Sequence, residues 1–359
     1  MNKTVLIVLC VNVFLFQFSI AQQGEKDKNI ITIGLLVNDQ TAVSATSAAE
    51  RAIASANKNK KLNGRQFKLV TRSMEGPWGT GSKEAVNLVF KERVWALLGS
   101  HDGRNAHLAE QVIAKTQMVF LSAWATDPTL SQAYIPWFYN CVPNDIQQAE
   151  MLVSEIKKNH KLNNLAVLVQ GNYDAENALK YLNDRIMAEG GQKPLVLKFD
   201  QNVNDRANLI VRLKEQGTKA IVVIGSGKQA WEIVGGLRKN GIETPVYGTL
   251  AMLGTFNSSF SNVENLSNLT VLDSGNWMKS NTLHSENGKD VYRSFSNAIE
   301  AYAFDGVNIL LNAIEASGFD RGKLNETISK TNYNGTTGKI QFDENGNRVS
   351  NMKLVKIAY

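Results

Sequence analysis

Between Trp95 and Leu130 the chain reads WALLGSHDGRNAHLAEQVIAKTQMVFLSAWATDPTL, and this stretch constrains the fold more than any other. Trp95–Leu98 and Met118–Leu121 are short apolar runs, and Ala106–Lys115 between them carries apolar residues at helical spacing. Two strands joined by a single helix must run parallel, because the crossover returns the chain to its starting edge. The loops that follow the two strands therefore open on the same carboxyl edge, where open α/β sheets bind their ligands. One loop offers Ser100, His101, Asp102, Gly103 and Arg104, and the other offers Ser122, Ala123, Trp124, Ala125 and Thr126. Donors, a charge pair and an aromatic converge there, as in a cleft for a small molecule.

The same rhythm extends along the chain. Ile30–Val37 predicts a first strand, followed by the loop Asn38–Thr41 and an Ala-rich helix over about 44–57. Phe67–Arg72 predicts a second strand, then the loop Glu75–Gly81 and a helix through Val94. The alternation restarts after Pro143 and Asn144, with a helix over 147–160 and strands at 165–169, 195–199, 220–224 and 246–249. Alternating strands and helices imply parallel sheets covered on both faces. One sheet of all these strands is unusually wide, so a second is expected. The Ser- and Asn-rich stretch 257–270 reads as a long surface connection.

At 359 residues, 43% hydrophobic and 20% charged, the chain favours two domains with sizeable cores. Residues 1–21 stand apart: Lys3, an apolar run from Val5 to Ile20, then Ser19-Ile20-Ala21 before polar Gln22. That pattern predicts a cleaved secretory signal, and its run falls short of the roughly 20 residues a spanning helix needs. Removing it leaves Cys141 alone, so no internal disulfide is expected and a buried thiol is the plain reading. The net charge of +6 is dispersed among acids, which argues against a nucleic-acid partner. A soluble protein of the periplasm or the cell exterior is expected. Asn-x-Ser/Thr triplets at Asn257, Asn265, Asn268, Asn325 and Asn334 are treated as chance in an Asn-rich chain.

No catalytic motif is complete in the sequence. Gly76–Lys83 has the glycine spacing of a phosphate loop but ends Ser-Lys where Lys-Ser or Lys-Thr is required, and Pro77 removes a backbone donor. His101, Asp102 and His107 are poorly spaced for a metal, and Asp102 reads better as a helix cap. Ser226 in Ile224–Lys228 lacks the spacing of a hydrolase elbow, with no histidine until His284. No enzyme activity, cofactor or metal is expected.

Three further segments carry a resemblance. Leu121–Leu130 (LSAWATDPTL), Ala301–Gly306 (AYAFDG) and Tyr333–Asp343 (YNGTTGKIQFD), in that order, resemble signatures of the type I periplasmic binding proteins that deliver branched-chain amino acids and amides to ABC transporters. The likeness runs from about residue 29 to 356. It implies an α/β fold of two doubly wound, Rossmann-like lobes joined by three crossovers, near residues 144, 275 and 334. Lobe one would then be 22–144 with 276–334, and lobe two 145–275 with 335–359.

The resemblance also implies a small amino-acid-like, amide or aromatic-acid solute and an ABC-type membrane permease as partners, and a monomeric protein that closes on its guest. Thr126 matches the family's threonine that holds an α-carboxylate, the backbone of Trp124 the position that meets the ammonium, and Tyr173 the tyrosine that closes over the ligand. Ser100 and the loop at Ser226 complete the expected site. Two departures stand out: His101-Asp102-Gly103-Arg104 replaces the usual serine pair, and Leu250–Leu253 replaces a loop that usually supplies an acid. Asp102 is then a substitute acid, or Arg104 a receptor for a second carboxylate. Trp78 and Trp124 are placed either to stack on a ring or cation, or to pack the lobes. A periplasmic sensor is the alternative reading, and a cleft hydrolase using Ser226 or Ser100 the second.

Overall fold

The computed structural model describes residues 29–38, 43–59, 62–199, 203–254, 265–275, 277–278, 295–349 and 352–357. The predicted signal at 1–21, residues 39–41 of the first loop, Asn257 and His284 lie outside them.

Two sheets are present. The first is built from β1 (Ile30–Val37), β2 (Gln66–Ser73), β3 (Ala96–Ser100), β4 (Phe120–Ser122) and β5 (Phe138–Asn140), all parallel, in the order β2-β1-β3-β4-β5. Its helices are α1 (Val43–Asn59), α2 (Thr80–Val86), α3 (Gly103–Thr116) and the single turn α4 (Thr129–Gln132). The chain then enters α5 (Asp145–His160) and builds the second sheet. That sheet takes β6 (Leu165–Gln170), β7 (Leu195–Phe199), β8 (Ala220–Ile224), β9 (Val246–Gly248) and β10 (Leu269–Ser274), connected by α6 (Tyr173–Ala188), α7 (Val203–Glu215) and α8 (Gly227–Lys239). After α9 (Ala298–Ala316), α10 (Arg321–Ser329) and a hairpin of β11 (Tyr333–Gly335) and β12 (Gly338–Ile340), β13 (Met352–Ile357) returns to the second sheet. The order there is β13-β10-β9-β8-β6-β7, and β13 alone runs antiparallel.

Strand alternation explains why each sheet has two cores. In β1, Ile31, Ile33, Leu35 and Val37 face α1 and α9, whereas Leu36 enters the cluster of Leu88, Leu97 and Ile113. In β6, Ala166 and Leu168 join one cluster, and Leu165, Val167 and Val169 the other. Successive side chains of a strand point to opposite faces, so a continuous apolar run is what a doubly covered strand requires. Each such side chain removed from water contributes about 1.5–3 kcal/mol before entropy is counted.

Several expectations change in detail. The helix expected to reach Val94 ends as α2 at Val86, then widens into a π-turn over Asn87–Lys91 that leaves Leu88 buried, before Arg93 turns to positive φ. The connection expected over 257–270 stops earlier, because Leu269 and Thr270 already pair with Val246 and Tyr247. The final passage comes later than residue 334. Ile340 is buried in the first core and Asn347 bridges Asn140, so the chain reaches the second sheet only at Met352.

The three passages are fastened together. Asp305, fully buried in α9, accepts the amides of Thr336 (3.0 Å) and Thr337 (2.7 Å) and both threonine hydroxyls. Two of the sequence signatures thus meet in space. Arg348, 1% exposed, donates to the carbonyls of Cys141, Thr337 and Lys339. Gly275, at φ +73°, lies so close to Thr337 that a Cβ would stand 2.2 Å from its carbonyl carbon. Cys141 is fully buried, and burial pushes its thiol pKa far up. Among the described residues no helix is long and apolar enough to cross a membrane.

Candidate functional site

Parallel strands deliver their following loops to one edge, and here both sheets aim that edge at a shared cleft of about 600 Å³. The first sheet contributes Asn38 after β1, the 74–81 loop after β2, Asp102, Arg104 and Asn105 after β3, and Trp124 and Thr126 after β4. The second contributes Gln170, Asn172, Tyr173 and Asp174 after β6, Gly225 and Ser226 after β8, and Thr249 and Ala251 after β9. Asp145 and Gln148, from the first turn of α5, form part of the wall.

Of the residues singled out in the sequence, Trp78, Asp102, Arg104, Trp124, Thr126, Tyr173 and Ser226 line this cleft. Asp102 caps α3, accepting from the amide (2.8 Å) and side chain (2.9 Å) of Asn105, which are orphan-donor and neighbour bonds of a helix start. Arg104 is exposed and lies 4.7 Å over the ring of Trp78, itself 74% exposed, so the two stack on each other at the mouth. Trp124 is half-buried, packs on the second lobe's core and meets Tyr302 edge-on at 6.1 Å. The amide of Ser226 donates to Gln170 Oε1 at 2.9 Å.

Two expected residues are not in the wall. Ser100, the last residue of β3, is 6% exposed and its hydroxyl has no partner, so it sits beneath the loop rather than on it. Gly103 gives its amide to Asp174 Oδ1 at 2.9 Å, and a Cβ there would stand 2.9 Å from that of Asp127. Its role is close contact between the halves. Among the described residues no group of three or more potential metal ligands gathers.

That contact has a second part. Asp127 Oδ2 accepts from the Tyr173 hydroxyl and the Asn177 amide, each at 3.0 Å, both from α6 on the other side. On its own side Asp127 lies 3.3 Å from His107 Nε2 and accepts the Thr129 hydroxyl at 2.7 Å. Asp127 and Glu110 hold the His107 pKa up at about 9. Burial pushes Asp127 upward, but bonds from His107, Thr129 and Tyr173 outweigh it and hold the group at about 2.

Inside the cleft the carboxyls behave differently. Burial, with the charges of Asp102 and Asp127, lifts Asp174 to about 6 against the pull of the Gly103 amide. Asp145 is 4% exposed and its pKa is raised by burial, then by Asp174 and Asp127, with a hydrogen bond from Thr126 opposing. Its Oδ2 has no partner, and neither has the hydroxyl of Thr249. Sequence reasoning missed Asp145, Asp174 and Thr249. The first two look like ordinary acids in a helix's first turn, and only the tertiary fold turns them inward.

The profile of a family described as periplasmic binding protein matches residues 30–358. Solved structures share the fold. The chain is 18% identical to LivJ, a branched-chain amino acid transporter substrate binding protein from Streptococcus pneumoniae in complex with isoleucine, covering 91% of this chain and 96% of that one with a TM-score of 0.72. It is 18% identical to the leucine binding protein LivK from Thermotoga maritima, covering 90% and 94% with a TM-score of 0.72. A solute binding protein of an ABC transporter from Rhodopseudomonas palustris, in complex with 3,4-dihydroxybenzoic acid, is 16% identical over 92% and 93% with a TM-score of 0.74. A search of curated proteins returned no match.

Proposed function

The chain belongs to the periplasmic binding protein family, and from that premise we propose that it captures one small solute between two lobes and presents the closed form to an ABC-type permease. The observation that carries this reading is the cleft itself, lined by the carboxyl-edge loops of both sheets. A guest touching both walls favours the closed state by the free energy of contacts absent when open, and no covalent step is required. Thr126 and the main chain of Trp124 hold the guest from lobe one, while Tyr173 and the Ser226 loop complete the grip. Trp78, Arg104 and Asp102 form the mouth, and Ser100 and Gly103 support the wall from behind. The lobes divide near residues 144 and 275. The protein acts as a monomer, without catalysis, after export directed by residues 1–21.

Small-angle scattering with and without solute tests this. A panel of amino acids, amides and aromatic acids is first ranked by thermal shift, since a bound ligand raises apparent stability by mass action. The best binder is expected to reduce the radius of gyration. Unchanged dimensions at saturation would refute closure.

A further inference from the structure

Resting on that reading of the cleft, we infer that its guest carries a net positive charge, an organic ammonium or amidinium set against Asp145 and Asp174, rather than the paired charges of an amino acid. Four acids line the cleft, Glu75, Asp102, Asp145 and Asp174, against one base, Arg104. Arg104 is exposed and stacked on Trp78 at the mouth, and makes no ion pair with these acids among the described residues.

The floor is what points to a ligand. Asp145 is 4% exposed with Oδ2 unpartnered, and Thr249, 6% exposed and on the same lobe after β9, has an unpartnered hydroxyl. A buried carboxylate oxygen without a donor costs more than the same group in water, and a partner supplied by a guest would offset that cost. The void behind these groups is about 10 Å³, room for one water at most. A water donates a hydrogen bond but brings no charge, whereas a cation offsets the cost that burial, Asp174 and Asp127 place on the charged form of Asp145.

The arrangement also disfavours a carboxylate on the guest. The hydroxyl of Ser100 is not in the wall, the amide of Gly103 is held by Asp174, and Thr126 bonds to Asp145. The half-buried Trp124 adds an aromatic wall that suits an alkylated or planar cation.

Isothermal calorimetry on the purified chain tests the inference with choline, putrescine and agmatine as cations, L-leucine as zwitterion and 3,4-dihydroxybenzoate as anion. At least one cation is expected to bind. Asp145→Asn should weaken it on the order of 100-fold, because a buried charge pair is broken, while the variant's own Tm stays level or rises as an uncompensated charge is removed. Thr249→Val should weaken the same cation about 10-fold. Binding of leucine or dihydroxybenzoate with no cation bound overturns the charge assignment and leaves solute capture standing. A cation bound equally by wild type and Asp145→Asn overturns it too. Silence of all five overturns it and also counts against solute capture.

Discussion

The guanidinium of Arg348 donates to the main-chain carbonyl of Cys141 at 2.9 Å, joining positions 207 residues apart. The same group serves Thr337 and Lys339, so one buried side chain ties the first passage between the sheets to the third. Arg348→Met keeps much of the volume but strands several buried carbonyls. It is expected to cost about 2–4 kcal/mol in urea unfolding. A loss below about 0.5 kcal/mol, the range of ordinary surface changes, would show that the clasp is dispensable.

Gly275 allows the second passage to press on the third. An alanine there must keep a φ of +73° and place its Cβ 2.2 Å from Thr337 backbone. Gly79 also has positive φ, +92°, but open space around it, and separates the two costs. Gly79→Ala should lose about 1 kcal/mol and Gly275→Ala clearly more, with the difference read from paired chemical denaturation curves.

The His107 and Asp127 pair sets a pH window. His107 has its pKa raised from 6.5 to about 9, so its stabilising effect is complete below about 6.5 and disappears as pH climbs through 9. Asp127 has its pKa lowered from 3.8 to about 2, so its contribution is complete above about 3.8 and disappears as pH falls toward 2. His107→Asn should therefore flatten the decline in Tm between pH 6.5 and 9.5. An unaltered slope in the variant would assign that decline to other groups.

Tyr173 reaches across the cleft to Asp127 with a hydroxyl on a side chain that is 43% exposed. Tyr173→Phe removes that bond while Asn177 keeps its own. The expected loss is small, about 0.5–1.5 kcal/mol, with a slightly larger radius of gyration for the unliganded protein. An identical scattering curve would mean that the contact does not hold the halves together.

Thr126 lines the cleft beside Asp145, whose amide donates to the Thr126 carbonyl at 2.8 Å. Thr126→Val preserves shape and removes the hydroxyl. Binding of whichever solute the calorimetry identifies should weaken by about 1–3 kcal/mol, since buried polar groups lose a partner. Unchanged affinity would move the guest away from this wall.

Much of this was legible in the sequence because its causes are local. The alternating apolar strands and the helices between them carry their periodicity in consecutive residues, so β1, β7 and β8 fall where the pattern places them. Asp102 as a cap was legible for the same reason. What stayed hidden depends on distant partners. The π-turn at 87–91 answers to where Leu88 must point, and β13 pairs antiparallel with a strand some eighty positions earlier, after the chain has passed back through the first core. Asp145 and Asp174 are surface-like by type and position. Their inward setting follows from contacts such as Gly103 to Asp174, 71 residues apart, which leave no trace in either neighbourhood.

The placement of Arg348 near the end of the chain bears on how the molecule matures. Residues 29–274 supply every strand of the first sheet and all but one of the second, so both cores begin to assemble from the N-terminal side. Arg348, which ties the first passage to the third, is synthesised after all of these strands. A chain lacking Arg348 would keep the Asp127–Tyr173 and Gly103–Asp174 contacts between its halves but lose the buried tie between the first passage and the third.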